Sequence, residues 1–251
     1  MSQPLPQADP RVLVSETFCS LQGEGALAGT PSWFLRLSGC NLRCRWCDTP
    51  YASWSPEGER RSVDGLIGEG LASGVRHAVL TGGEPMIFPE LAAIASGLRA
   101  GGMHVTIETA GTVDRPEVEF DLMSVSPKLS NSTPLGDPRD PGGAWAGRHD
   151  RRRLDAGALG GLLRRGGESG RSRQVKFVVT GEADLAEIEG VLALPEVVAA
   201  GLAPEEVFLM PEGTAVPEPA SVAWVVGLCR ERGWRYGHRL HIELFGDTRG
   251  T

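Results

Sequence analysis

Three of the five cysteines in this 251-residue chain fall within eight residues, at Cys40, Cys44 and Cys47. Their spacing is C-x3-C-x2-C, and Trp46 stands directly before the third cysteine. The cysteine count is odd, and the stretch Met1 to Pro10 lacks the basic and apolar regions of a secretory signal, so a disulfide framework is disfavoured. Thiols crowded into one loop instead predict a metal site, and the rest of the fold must present that loop.

The number of clustered thiols separates the possible sites. Structural zinc takes four protein ligands, whereas a cubane 4Fe-4S cluster held by three cysteines keeps one iron open to a small molecule. A zinc site completed by Cys19, or by one of the five histidines, is one alternative. Three structural thiols in a core are another, which Arg43 and Arg45 disfavour because charged residues between the cysteines do not suit an apolar core.

Strand-like and helix-like segments alternate along the chain. Apolar runs of strand length cover residues 33–37, 75–80, 103–107, 120–125, 175–179 and 207–210. Helix-like stretches cover residues 62–72, 90–99, 184–194 and 217–232. This alternation predicts an α/β fold with a parallel sheet. About six parallel strands with fewer helices favour a partial, incomplete TIM-like barrel, with residues 1–251 as a single domain.

The ends of the predicted strands are unusually polar and rich in glycine. They include Gly39-Cys40, residues 81–85, 108–112 and 126–128, Thr180-Gly181 and residues 211–213. Turns after strands often need glycine because it adopts positive φ angles. For any single strand end, an ordinary turn is therefore as good an explanation as a functional site. Six such ends on one face favour a functional site, because parallel α/β folds bind ligands at the carboxyl ends of their strands.

Charge and hydropathy limit the partners. The net charge is −7, which disfavours a general nucleic-acid binder, since binding to phosphates needs a positive surface. No apolar run reaches the roughly 18 residues of a membrane helix, so we expect no membrane partner and a cytoplasmic location.

Residues 137–173 differ from the rest, with nine arginines and nine glycines against five acidic residues. This basic insertion is expected to be a solvated surface excursion with one short helix near Leu154 to Arg165; the alternative is an electropositive flap for an anionic partner.

The cysteine loop resembles the signature of the radical S-adenosylmethionine superfamily, which has this spacing and this aromatic residue. Gly82-Gly83-Glu84-Pro85 resembles a second element of that superfamily. The resemblance implies a 4Fe-4S cluster and S-adenosylmethionine as cofactors. It also implies that an electron from the cluster cleaves S-adenosylmethionine to a 5'-deoxyadenosyl radical.

A run before the loop, Ser20-Leu21-Gln22-Gly23-Glu24-Gly25, resembles the 7-carboxy-7-deazaguanine synthase family. That family contracts the ring of 6-carboxy-5,6,7,8-tetrahydropterin, with release of ammonia and a Mg2+ requirement, on the route to queuosine and other 7-deazapurines. The resemblance also implies a homodimer and an electron donor such as flavodoxin or ferredoxin. A glycyl-radical-enzyme activase is the alternative enzyme, and a zinc-stabilised binding module is the alternative outside enzymes.

The resemblance carries roles onto individual residues. It assigns the substrate to Leu21, Gln22, Gly23, Glu24, Arg36, Thr81, His241 and Thr251. It assigns the cluster to Cys40, Cys44 and Cys47, and Mg2+ to Thr49. It assigns S-adenosylmethionine to Trp46, Cys47, Asp48, Gly83, Glu84, Ser126, Pro127, Lys128, Met210, Pro211, Glu212 and Gly213. His241 stands in an apolar segment that we interpret as a strand, where a histidine is equally often a core residue.

Overall fold

The computed structural model describes residues 9–251. Within this range the strands are β1 (Arg11–Leu21), β2 (Pro31–Leu37), β3 (Glu59–Ser62), β4 (His77–Gly82), β5 (His104–Thr109), β6 (Leu122–Val125), β7 (Ser172–Val179), β8 (Val207–Pro211) and β9 (Arg235–Tyr236). They form one sheet in the order β3-β1-β2-β4-β5-β6-β7-β8-β9. Residues 1–8, which make up most of the stretch expected to lack a secretory signal, lie outside the described part.

The sheet is mostly parallel and open. From β2 to β9 each neighbouring pair is parallel, whereas β1 is antiparallel to both β2 and β3. The outermost strands, β3 and β9, lie at opposite ends of the sheet order. The predicted α/β partial barrel is therefore confirmed. Its six expected strands are β2 and β4 to β8; β1 escaped detection because Ser15, Glu16 and Thr17 interrupt its apolar residues.

Helices fill most connections between the parallel strands. They are α1 (Pro50–Ser53), α2 (Val63–Ala72), α3 (Leu91–Ala100), α4 (Ala144–Arg152), α5 (Ala156–Gly166), α6 (Asp184–Leu192), α7 (Pro195–Ala200), α8 (Pro219–Arg232) and α9 (Leu240–Phe245). Side-chain caps fix some starts: Ser62 accepts from the Gly65 N–H at α2, and Asp155 accepts from the Ala158 N–H at α5. None of these helices is both long and apolar enough to span a membrane.

The two faces of each strand have different neighbours. On β2, Trp33, Leu35 and Leu37 belong to the buried core, whereas Phe34 and Arg36 line a cavity. The same alternation continues across β4, β5, β7 and β8, because successive side chains point to opposite faces of a sheet. The core face packs against helices, which contribute Leu66, Leu91, Ile94, Leu98, Leu159, Leu162, Ile188 and Val225. The opposite face is left for a functional site.

The basic segment 137–173 differs from its expected form. It holds α4 and α5, and the predicted helix near Leu154 to Arg165 corresponds to α5. Leu159, Leu162 and Leu163 of α5 are buried in the main core. The expectation of a solvated surface excursion is therefore wrong: the segment connects β6 to β7 and covers the sheet. The glycines of α5 hid its burial and not its helical form, because small residues let the helix pack closely against α7 and β7.

His241 also lies in a different element from the one expected. Leu240, His241 and Ile242 alternate like strand residues, but they form the first turn of α9. The Leu240 N–H donates to the carbonyl of Gly23 at 2.8 Å, which ties the start of α9 to the loop after β1. The strand prediction for His241 is therefore wrong, and the reason is this long-range contact, which sequence periodicity does not record.

Candidate active site

A cavity of about 670 Å³ opens at the carboxyl ends of the parallel strands. Most of the residues selected from sequence line it, although they come from separate segments of the chain. They are Leu21, Gln22, Gly23, Glu24, Arg36, Cys40, Cys44, Trp46, Cys47, Asp48, Thr49, Thr81, Gly83, Ser126, Lys128, Met210, His241 and Thr251. Glu84, Pro127, Pro211, Glu212 and Gly213 lie outside this lining, and Thr214 lines it beside them.

The cysteine loop packs against the glycine turn after β4. The Glu84 N–H donates to the Gly39 carbonyl at 2.9 Å. A Cβ atom added at Gly83 would lie 2.3 Å from the Gly39 oxygen, 2.6 Å from the Ala52 oxygen and 2.7 Å from Cβ of Cys40. Only glycine allows backbones to approach this closely. Gly83 therefore fixes where the first cysteine sits.

The thiols suit an iron-sulfur cluster. Cys40 and Cys47 are partly exposed in the cavity and Cys44 is buried, whereas Cys19 is exposed and Cys229 is buried elsewhere. Burial raises the pKa of Cys40 to about 12 and raises that of Cys44 as well, so both thiols keep their protons until a metal replaces them. Between residues 9 and 251, no three His, Cys, Asp or Glu side chains are grouped around one ion position. Cysteines of a cubane cluster bind three different irons, so their thiolates need not meet at one point.

Glu84 is fully buried, and its carboxylate binds the neighbouring turn through hydrogen bonds. Its carboxylate accepts from the Thr109 hydroxyl at 2.7 Å, from the Ala110 N–H at 2.7 Å and from the Met86 N–H at 3.0 Å. Burial raises the pKa of Glu84 despite these bonds. The carboxylate therefore fixes the turn after β5 against the turn after β4.

Lys128 and Ser126 form a polar pair on the cavity wall. The Lys128 ammonium donates to the Ser126 carbonyl at 2.8 Å and to its hydroxyl at 2.7 Å, and it lies 5.7 Å from the centroid of the Trp46 ring. This arrangement presents a cation and a hydroxyl beside the cysteine loop. Such groups suit a ligand that carries a carboxylate and a ribose.

A second part of the cavity wall is a charge cluster formed by Glu24, Glu108 and Lys176. The Lys176 ammonium donates to Oε2 of Glu24 and to Oε2 of Glu108, both at 2.8 Å. The Gln22 amide donates to Oε1 of Glu108 at 3.2 Å. Burial alone raises the pKa of Glu24, but the charges of Lys176 and Arg239 outweigh burial and lower it to about 2. Glu24 is therefore ionised at neutral pH, held by a buried cation.

Sequence reasoning missed Lys176 and Glu108 as site residues. A lone lysine in the apolar run 175–179 was the available signal, since a charged residue inside a buried strand needs a partner. Glu108 lies at a strand end that was noted for its polarity but was not selected.

Arg36 is held by an ion pair at the cavity wall. Its Nε donates to Oε1 of Glu16 at 2.7 Å, and the Tyr51 hydroxyl donates to the same oxygen at 3.0 Å. Nε of Arg249 donates to Oε2 of Glu16 at 3.1 Å, and its guanidinium carbon lies 3.9 Å from the centroid of the Tyr51 ring. Burial opposes the ionisation of Glu16, yet Arg36 holds its pKa below the ordinary value. Glu16 thus joins Arg36 to the segment that ends at Thr251.

His241 packs directly on the backbone of the loop after β1. A Cβ atom at Gly23 would lie 2.0 Å from Nδ1 of His241, so this close contact requires glycine. Burial lowers the pKa of His241, which favours the neutral ring. Arg239, also in the lining, brings its Nε to 3.7 Å from Glu24. The start of α9 and the loop after β1 thus form one wall.

Thr49 lines the cavity next to the third cysteine. It is the N-cap residue of α1, but its side chain makes no capping hydrogen bond. The hydroxyl lies 3.8 Å from the Cys47 sulfur. Because the helix does not use it, this oxygen is available to a hard cation.

Comparisons with known proteins agree with this geometry. Residues 35–124 match the model of the radical SAM superfamily. The chain is 46% identical to a 7-carboxy-7-deazaguanine synthase of Rhodopirellula baltica, covering 97% of this chain and 90% of that protein. It is 45% identical to one of Halobacterium salinarum, covering 96% and 93%. The crystal structure of QueE from Escherichia coli superposes with a TM-score of 0.65 at 25% identity, covering 92% of this chain and 95% of that one. The chain therefore belongs to the 7-carboxy-7-deazaguanine synthase family, within the radical S-adenosylmethionine superfamily.

Proposed function

We propose that this protein is a 7-carboxy-7-deazaguanine synthase, which contracts the ring of 6-carboxy-5,6,7,8-tetrahydropterin with release of ammonia. One observation carries the proposal. The cysteine loop, the glycine turn at Gly83 and the loop of Gln22 and Glu24 line one cavity in a chain that belongs to this family. The product would enter the synthesis of queuosine and other 7-deazapurines.

The cofactor end of the cavity is the cysteine loop with its neighbours. Cys40, Cys44 and Cys47 would hold a 4Fe-4S cluster, and the open iron would bind S-adenosylmethionine. When bound, these groups supply the radical that starts the reaction. The chain orients the cofactor through the ammonium of Lys128 and the hydroxyl of Ser126. Trp46, Asp48 and Met210 complete the wall on this side and exclude water.

The substrate end consists of the charge cluster around Lys176 and, on the cavity wall, Arg36. The Gln22 amide and the ionised Glu24 would read the amide and amino edge of the pterin, with the backbone of Leu21 and Gly23 beside them. Lys176 keeps Glu24 charged and in place. Arg36 would bind the substrate carboxylate through its terminal nitrogens, because Glu16 already occupies its Nε.

Three more residues of the lining complete the substrate side. Thr81, His241 and Thr251 would enclose the pterin between the end of β4, the start of α9 and the segment after it. His241 is fixed by its contact with Gly23. We include Glu84 as a residue that orients the turn beside the cofactor, since its oxygens are already bonded within the protein.

We also propose that Thr49 supplies the one protein oxygen of a Mg2+ site. Mg2+ takes six hard oxygen ligands and keeps several waters, so substrate and water would complete its shell. The hydroxyl left unused at the start of α1 supports this assignment.

The remaining proposals rest on the family resemblance and on charge. We propose that residues 1–251 act as one domain, which the continuous sheet and core of the described part support. We propose a homodimer in the cytoplasm, with flavodoxin or ferredoxin as the electron donor and with no nucleic-acid or membrane partner. Size-exclusion chromatography with light scattering tests the oligomeric state.

Ring contraction is tested on protein reconstituted anaerobically with iron and sulfide. Incubation with the carboxypterin, S-adenosylmethionine, Mg2+ and a reductant should yield 7-carboxy-7-deazaguanine, identified by mass spectrometry. The Cys44→Ser variant should yield none. Cleavage of S-adenosylmethionine without this product would reject the proposal and favour an activase that acts on a protein. One bound zinc, with no sulfide and no brown colour, would favour a zinc-stabilised module.

A further inference from the structure

The cysteine loop depends on the connection between β6 and β7 for its backbone hydrogen bonds. Residues 40–47 form no helix or strand. The Leu42 and Cys47 N–H groups donate within the loop, to the Cys40 sulfur and the Cys44 carbonyl, whereas those of Arg43 and Arg45 find partners elsewhere in the fold. The Arg43 N–H donates to Nδ1 of His149 in α4 at 3.1 Å. The Arg45 N–H donates to the carbonyl of Ser132 at 2.9 Å. The two amides on either side of Cys44 are thus bound by one neighbouring segment.

The two partners are themselves joined and enclosed. His149 and Ser132 are 0% exposed. Nε2 of His149 lies 2.8 Å from the Ser132 hydroxyl, and that hydroxyl donates to the Leu129 carbonyl at 2.6 Å. The hydroxyl must therefore accept a hydrogen bond from Nε2–H, which leaves the lone pair of Nδ1 free to accept one from the Arg43 N–H. One tautomer of His149 satisfies the whole chain of hydrogen bonds.

The carbonyl side of the loop is bound in the same way. The Cys44 carbonyl accepts from Nε1 of Trp54 at 3.0 Å, and the Arg45 carbonyl accepts from Arg139 at 2.7 Å. The guanidinium carbon of Arg43 lies 4.1 Å from the centroid of the Trp145 ring in α4. These contacts bind the backbone of the loop and the Arg43 side chain, and the three cysteines still line the cavity.

We propose that His149 and Ser132 form a brace that holds the cysteine loop in its iron-binding shape before a cluster assembles. The inference rests on the proposed cluster site, and it gives the basic segment 137–173 a role. An ordered loop loses less conformational entropy when iron binds, so the brace favours cluster assembly and slows iron loss. His149 is a positioning residue, because it acts through the loop backbone and not on the reacting atoms.

Two variants of one residue separate the hydrogen bond from the fold. His149→Asn keeps an acceptor near the position of Nδ1, whereas His149→Leu removes it and leaves the Arg43 amide buried without a partner. His104→Leu, at an exposed histidine in β5, is the matched control. We expect reconstituted His149→Leu to release iron to a chelator about tenfold faster than the natural protein. A change of this size corresponds to the loss of one buried hydrogen bond. His149→Asn and His104→Leu should stay close to the natural rate.

A second measurement uses the iron-free protein and does not depend on the cluster. Hydrogen exchange followed by mass spectrometry should show protected amides in residues 40–47 of the natural protein and of His149→Asn. His149→Leu should lose this protection while the strands keep theirs, which a global folding defect would not produce. Unprotected loop amides in the natural protein, or natural iron release by His149→Leu, would overturn the brace. A natural protein with protected amides that binds no iron would instead reject the proposed function.

Discussion

The Nζ atom of Lys176 lies 2.8 Å from Oε2 of Glu24, with the lysine side chain only 4% exposed. The same ammonium also neutralises Glu108, so one buried cation holds two carboxylates at the cavity wall. Removing it takes the paired cation from Glu108 and leaves Glu24 with only the more distant Arg239, whose Nε lies 3.7 Å away.

Lys176→Met should therefore destabilise the protein and abolish turnover. Losing one partner of a buried ion pair costs about 3–5 kcal/mol in the free energy of unfolding. Denaturant titration measures this loss, and the double variant with Glu24→Gln should recover part of it because one of the two carboxylates that lost the lysine is then neutral. Arg230→Met, at an exposed position on α8, is the control and should leave stability nearly unchanged. A Lys176→Met protein as stable as the control would contradict the role of the cation.

Ionisation of Glu24 should make stability depend on acid pH. The folded pKa, about 2, lies below the ordinary value of 4.5, so Glu24 contributes stability above pH 4.5 that is lost as pH falls toward 2. The contribution is on the order of 3 kcal/mol. Unfolding free energies of the natural protein and of Glu24→Gln, measured from pH 6 to pH 2, should therefore converge toward acid. A difference that stays constant over this range would show that the carboxylate is not stabilised by Lys176.

Arg36 should discriminate between pterins with and without a carboxylate. Arg36→Met removes a charged hydrogen bond, which corresponds to about 10- to 100-fold weaker binding of the carboxypterin. An analogue without the carboxylate should bind the variant and the natural protein equally. Glu16→Gln should weaken carboxypterin binding less, because Arg36 loses only its orienting partner. Calorimetric binding to iron-free protein gives both dissociation constants. Equal losses of affinity for the two pterins would show that Arg36 does not bind the carboxylate.

Two glycine-to-alanine substitutions should have opposite effects. At Gly83 a Cβ atom would lie 2.3 Å from a backbone oxygen, whereas at Gly68, on the exposed side of α2, it would meet nothing within 4 Å. Gly83→Ala should displace the cysteine loop and lower iron content after reconstitution. Gly68→Ala should bind iron normally and gain about 0.5–1 kcal/mol of stability, because alanine is the better helix former. Iron analysis and thermal melts compare the two, and full iron loading of Gly83→Ala would contradict the close packing.

The hydroxyl of Thr49 should govern the response to Mg2+. Thr49→Val keeps the shape of the side chain but removes the oxygen, so half-maximal activity should require at least about tenfold more Mg2+. Thr49→Ser retains the oxygen and should need nearly the natural concentration. A titration of initial rate against Mg2+ distinguishes them, and identical curves for the three proteins would rule out Thr49 as a ligand.

Sequence alone located the parts of the site that are continuous in the chain. The cysteine loop, the turn at Gly83 and the run from Leu21 to Glu24 are short motifs whose spacing carries the chemistry, and they do line one cavity. The partners of these motifs were not predictable. Glu16 and Arg249 are 233 residues apart. Glu16 lies opposite Arg36 because β1 runs antiparallel to β2, a pairing that the sequence does not record.

The composition of residues 137–173 led to a wrong prediction of their burial. The arginines and glycines of residues 137–173 suggested a solvated excursion, yet α5 is buried and α4 binds the cysteine loop. Several of these arginines are used internally: Arg165 pairs with Asp114, and Arg173 pairs with Glu206. Charge counts cannot distinguish a free cation from a paired one, because pairing is a tertiary contact.

We propose that one cavity joins a radical cofactor to a carboxypterin and contracts its ring. The most direct test is to measure the ammonia and the 7-carboxy-7-deazaguanine formed by anaerobically reconstituted protein. We predict equal amounts of the two products, many turnovers for each S-adenosylmethionine consumed, and neither product from Cys44→Ser. Iron-loaded protein that cleaves S-adenosylmethionine stoichiometrically to 5'-deoxyadenosine and methionine, and forms no ring-contracted product, would contradict the account.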